Sequence, residues 1–150
     1  MKIHPVRLSP SDDIRFAVVE TLRSLDVTAA FVIQGVGSLS VAQLRFAGAD
    51  TATEIRNDLE ILTLSGSISL DGAHLHMSVS DPNGTVLGGH VAPGCTVRTT
   101  AELLLVLLPE YQFSREYDEK TGFAELVIRR EPVVDAGLSG AVGSRIQSID

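Results

Sequence analysis

The chain has 150 residues, 44% hydrophobic and 21% charged, and its 12 Lys and Arg against 19 Asp and Glu leave a formal charge of −7. That composition suits a soluble globular domain with apolar surface enough for a core, and it excludes a largely disordered chain. The acidic balance, with only Arg129-Arg130 adjacent, lacks the basic footprint of a nucleic-acid binder, and the lone cysteine excludes an internal disulfide.

The N-terminus has no apolar signal core, and the longest apolar run, Leu103–Leu108, falls far below the ~18 residues of a membrane span. The expectation is a cytoplasmic protein. Lys2–Leu8 reads as an edge strand, because Pro5 cannot donate to a ladder. Ser9-Pro10-Ser11-Asp12 offers a helix start with Ser9 as cap, and Ile14, Val18, Leu22 and Leu25 recur at helical spacing over about four turns.

Thr28–Gln34 is apolar without alternation, as in a strand covered on both faces, and Gly35-Val36-Gly37-Ser38 is expected to end it in a tight turn. Its two glycines do not make a dinucleotide fingerprint, since the third is replaced by Ser40. Val41, Leu44 and Phe46 suggest another strand, and Gly48–Asn57 a loop. Leu59–Leu70 and Ala73–Ser80 form a hairpin through Asp71-Gly72, and Asp81-Pro82-Asn83-Gly84 turns into a further strand, Thr85–Ala92. Thr100–Leu108 reads as a second, short helix ending at Pro109, before strands Tyr111–Tyr117 and Phe123–Arg130. The fold class is therefore α+β: a mostly antiparallel sheet of seven or eight strands packed against two helices, with residues 1–130 as the domain and 131–150 as a Gly-rich tail that could rest on a partner subunit.

Chemistry concentrates on the hairpin. With Asp71-Gly72 as its turn, Ser69 faces His74 and Ser67 faces His76, and strict alternation separates two faces. Leu64, Ile68, Leu75, Met77 and Val79 lie on one; Thr63, Ser65, Ser67, His74, His76 and Ser78 lie on the other. His74 and His76 then stand roughly 6–7 Å apart at Cα. A meander brings Gly88-Gly89-His90 beside them, the glycines permitting close backbone approach. Three neutral imidazoles with an open fourth position are the ligand set of an accessible zinc site and also suit other late divalent ions. The plainer alternative is a set of solvated histidines on the wet face of a sheet. Glu60 and Glu102 are the candidate acid–base groups beside such an ion, and each also suits an ordinary surface charge. Cys95, between Gly94 and Thr96, reads as a packing thiol.

The order of motifs resembles the PPC domain, the plants and prokaryotes conserved family attached to AT-hooks in plants. The resemblance rests on Gly35-Val36-Gly37-Ser38, Leu59 to Gly66, Asp71 to His76, Gly88-Gly89-His90 and Thr99-Thr100-Ala101-Glu102, and covers about residues 3–130. It implies an antiparallel sheet packed on helices, a homotrimer, and His74, His76 and His90 as the metal ligands. The plant protein-contact motif Gly-Arg-Phe-Glu-Ile-Leu falls on Asn57–Leu62, where Asn57, Asp58 and Leu59 replace its first three residues, and the AT-hook core Arg-Gly-Arg-Pro is absent. Three functions follow as expectations. The first is a trimeric zinc-binding module that takes a small molecule or a protein partner. The second is a metal-dependent hydrolase or lyase, and the third is DNA binding as the family label suggests, which the net charge disfavours.

Overall fold

A computed structural model describes residues 1–130; the expected tail, 131–150, lies outside the described residues. Eight strands and one helix follow in the order β1 (Lys2–Leu8), α1 (Ile14–Ser24), β2 (Ala29–Arg45), β3 (Thr53–Ser69), β4 (Gly72–Ser80), β5 (Val86–Val91), β6 (Thr96–Leu107), β7 (Tyr111–Asp118) and β8 (Phe123–Arg130). Six strands form one antiparallel sheet in the order β1-β6-β2-β3-β4-β5, and β7 and β8 form a separate two-stranded sheet. The far end of β2 also pairs with β5, Leu44 with Val91 and Arg45 with His90, so the sheet curls back on itself. Helix α1 packs against β3 and β4, and Ile14, Val18, Leu22, Leu64, Ile68 and Leu75 are fully buried in the core between them. Each such side chain contributes about 1.5–3 kcal/mol relative to exposure.

The expected second helix is corrected to a strand. Residues 100–107 lie within β6, where Val97, Ala101, Leu103, Leu105 and Leu107 are buried and Arg98, Glu102 and Leu104 point outward. A short apolar run fits either structure, and here position between β1 and β2 decides, because β6 gains ladder partners on both sides. Gly35-Val36-Gly37-Ser38 does not end a strand either. It lies inside the 17-residue β2, which register shifts bend near Val32/Gln34 and Gly37/Leu39. Gly37 is needed there: its φ is +140°, and a Cβ would sit 2.3 Å from the Thr100 carbonyl oxygen. The expected loop 48–57 shrinks, as 53–57 belong to β3 and 53–56 pair with 41–44 at the end of β2.

The helix start also moves. Ser9 to Asp12 form a turn with Ser11 at φ 75°. Asp13 caps α1, its Oδ1 accepting from the Phe16 amide at 2.9 Å while Oδ2 accepts from the Gly94 amide at 2.5 Å. One carboxylate thus starts the helix and ties it to the loop before β6, and the helix is 11 residues long, with Leu25 as its C-cap. In the β3–β4 hairpin, Leu70-Asp71 form the turn, so Ser67 faces His74 and Ser65 faces His76. The register differs from the expected one by two residues, and because the side-chain period is two, both faces keep their residues.

Candidate metal centre

His74 and His76 stand two apart on β4 and so share its outer face. His90 on β5 is the register partner of His76 on one side and of Arg45 on the other. Gly89 makes this crossing possible, since a Cβ there would lie 2.8 Å from the Arg45 carbonyl oxygen. The rings converge: His74 Nε2 and His76 Nε2 are 3.2 Å apart, and one nitrogen from each of the three histidines falls within 4.8 Å of the others. Ring centroids are 4.9–5.5 Å apart, with the His90 ring nearly perpendicular to the other two.

The surroundings of His74 and His90 favour their neutral forms. Burial foremost, then His74, Arg45 and Arg15, push the His90 pKa down to about 4. Burial, Arg115 and His76 lower that of His74, against an opposing pull from Glu125. A neutral ring offers a lone pair, the form in which histidine binds metal. His90 Nδ1 is buried with no hydrogen-bond partner, alone in this among side-chain nitrogens and oxygens of the described residues. Such an orphan costs about 1–3 kcal/mol.

Sequence reasoning missed the second sheet's part in the site. Phe113 on β7 is buried and stacks edge to face on Phe31 of β2 at 5.5 Å, anchoring the β7–β8 hairpin over the main sheet. Two residues on, and hence on the same face of β7, Arg115 donates from Nη2 to Ser67 Oγ at 2.9 Å and from Nη1 to His74 Nδ1 at 3.3 Å. Asp71 Oδ2 accepts from the Arg115 amide at 3.1 Å. Ser65, Ser67, His74, His76, Arg115 and Glu125 line an open cleft of about 390 Å³. Contacts spanning 41 and 48 residues leave no local pattern from which to foresee them.

Glu60 and Glu102 are not brought to the histidines. Glu60 lies five positions along β3 from Ser65, roughly 17 Å by strand rise, and Glu102 sits on β6 between Arg7 and Val36. The carboxylates beside the cluster are Glu125 and Asp71, which line the clefts around His74. Cys95 is fully buried, with its Sγ accepting from the Gln43 amide at 3.1 Å. Burial pushes its thiol up to about 11, so packing is its role. No helix among the described residues is long and apolar enough to cross a membrane.

The chain is similar to a bifunctional protein GlmU of Synechococcus sp. (strain JA-2-3B'a(2-13)), 46% identical over 129 residues, which are 86% of this chain and 20% of that protein. It thus spans about one fifth of the length of the curated relatives it matches. A hypothetical protein of Salmonella cholerae-suis superposes with a TM-score of 0.82 at 38% identity, over 86% of this chain and 94% of that one. A metal-containing protein of Archaeoglobus fulgidus gives 0.72 at 27% identity, over 85% and 94%. Residues 1–109 match the Plants and Prokaryotes Conserved (PCC) domain, and with the curled antiparallel sheet and its histidines in place the chain belongs to that family.

Proposed function

We propose that this PCC domain binds one divalent ion, zinc first among the candidates, through His74, His76 and His90, and works as a homotrimeric module that presents the ion to a small molecule or a protein partner. The observation that carries the metal reading is the convergence of three imidazoles, one nitrogen of each within 4.8 Å of the others, with the His90 Nδ1 buried and without a protein partner. A metal-containing relative of the same fold supports it. An ion held by these three residues would supply Lewis-acid polarisation of an oxygen ligand. Elemental analysis of protein purified without a His tag or chelator tests the reading. About one ion per chain, lost in His74→Ala and in His90→Ala, supports it; retention of the full amount in both variants overturns it.

The trimer is supported by an apolar strip. Ile3, Val36 and Leu104 are exposed on the outer face of β1, β2 and β6, where Pro5 and Gln34 flank Leu104 and line a cleft of about 530 Å³. The same face carries the histidines, because ladder partners run His74, Ser67, Phe31, Val106, Ile3 from β4 to β1. Exposed apolar strips of this kind suit self-association. Light scattering decides: a trimer mass that falls to monomer in Leu104→Glu supports the reading, and a monomeric wild-type chain at micromolar concentration removes it. A metal-dependent enzyme is the second reading, favoured by the Glu125 carboxylate in the histidine cleft. DNA binding draws no support from a chain of charge −7.

A further inference from the structure

We infer that Arg115 is an anion-binding residue of the histidine cleft, and that the ligand meeting the ion there is a small oxyanion of the carboxylate or phosphate kind. The inference rests on the metal reading above and begins with a conflict of protons. A guanidinium only donates, so Arg115 Nη1 at 3.3 Å makes His74 Nδ1 an acceptor. The neutral His74 ring then carries its proton on Nε2 and donates it to His76 Nε2 at 3.2 Å. An ion held by His74 Nε2 needs that lone pair free, so the proton must pass to Nδ1. There it meets another N–H from Arg115. An ion held at Nε2 would thus set the Arg115 Nη1 edge free of His74 and open to the cleft, with Nη2 still on Ser67 Oγ.

Charge decides what that guanidinium takes. Among the described residues, neither Arg115 nor Arg15 lies within ion-pair distance of a carboxylate, whereas Arg23, Arg56, Arg98 and Arg129 each do. Arg15, held by a 2.9 Å bond to the Val91 carbonyl, lines the same side of the cluster with Arg115, His74 and His90. Arg115 and Arg15 balance Glu125 and Asp71 in charge, so a divalent ion held by the histidines would leave the site net positive on an acidic protein. A planar fork matches a carboxylate or phosphate edge with two parallel hydrogen bonds, and the Ser65 and Ser67 side of the cleft leaves room for a small one.

The test uses the full chain loaded with Co(II), whose visible spectrum reports its ligands, titrated with acetate and separately with sulfate. Acetate should perturb the wild-type spectrum, and Arg115→Gln should raise its apparent dissociation constant about tenfold at an unchanged 1:1 cobalt stoichiometry. Arg115→Lys, which keeps the charge without the fork, should fall between them and serves alone if the Gln variant does not fold. A response to sulfate with none to acetate reassigns the oxyanion to the phosphate kind and keeps the role of Arg115. Equal anion responses in wild type and variants overturn the inference while leaving the metal reading intact. Failure of the wild-type chain to bind cobalt overturns both.

Discussion

The sheet around β6 and the cleft beside β4 and β5 share one fold and obey opposite rules. Strand β6 is laddered on both sides, and its inward side chains, Leu105 among them, are buried without a polar atom left over. At β4 and β5, among the described residues, one buried nitrogen has no partner, three rings crowd together, and Arg15 and Arg115 have no carboxylate within ion-pair distance. One region stores stability and the other holds unmet interactions, the condition of a ligand site. Substitutions should separate the two.

The largest effect is expected where the regions join. Gly66 on β3 has φ +148°, and a Cβ would lie 1.9 Å from the carbonyl oxygen of His74. Gly66→Ala should therefore push β4 off β3, with a loss of about 4 kcal/mol or more in urea denaturation. Gly48 also has positive φ, +74°, but no atom lies within 4 Å of its Cβ direction. Gly48→Ala should cost only about 1 kcal/mol. Similar losses at the two positions would show that conformation, and not the β3–β4 approach, sets the requirement.

Next comes the dry region alone. Leu105→Ala should cost about 2–5 kcal/mol through the cavity it leaves, yet the folded variant should bind metal at the wild-type ratio. A fall in stoichiometry would mean that packing at β6 sets the histidine geometry, and the separation would fail.

The same contrast explains what could be read from the amino-acid order. His74, His76 and their serines followed from a two-residue period that survives a two-residue register slip, so the histidine cluster was legible. Gly88-Gly89 announced the close crossing that brings His90 in. The helix read at 100–108 failed because six consecutive apolar residues carry no period, although Thr96, Val97, Thr99 and Thr100 just before them favour strand. Gly37 looked like a turn because a glycine needed for close strand approach and one needed for chain reversal are the same letter. Arg115 and Glu125 were invisible since a hairpin far along the chain delivers them, and Glu60 and Glu102 were chosen by residue type near the histidine motifs when the ladder places them elsewhere.

A smaller effect should appear with pH at Cys95, in the dry region. Its folded-state pKa of about 11 lies above the ordinary thiol value near 9, so the folded chain holds the proton more tightly than the unfolded one. The stability this contributes is full below pH 9 and is lost as pH rises from 9 to 11, by about 2 kcal/mol. Thermal unfolding of wild type and Cys95→Ala across that range should show a steeper decline in the wild type. Equal slopes would mean that the thiol reaches solvent before the domain opens.

The smallest change in stability is expected where the chemistry is densest. His90→Ala removes a half-buried ring, which costs packing, but it also removes the unpartnered Nδ1. The two should offset one another to within about 1 kcal/mol for protein freed of metal with a chelator. Adding zinc at a hundredfold over its dissociation constant should then stabilise the wild type by about 2.7 kcal/mol and leave His90→Ala unmoved, because an ion stabilises only the state that binds it. A loss above about 3 kcal/mol in the chelated variant would place His90 among the residues that hold the fold together. The unmet interactions at β4 and β5 would then belong to the architecture, and the division between a dry region that stabilises and a wet one that binds would not survive.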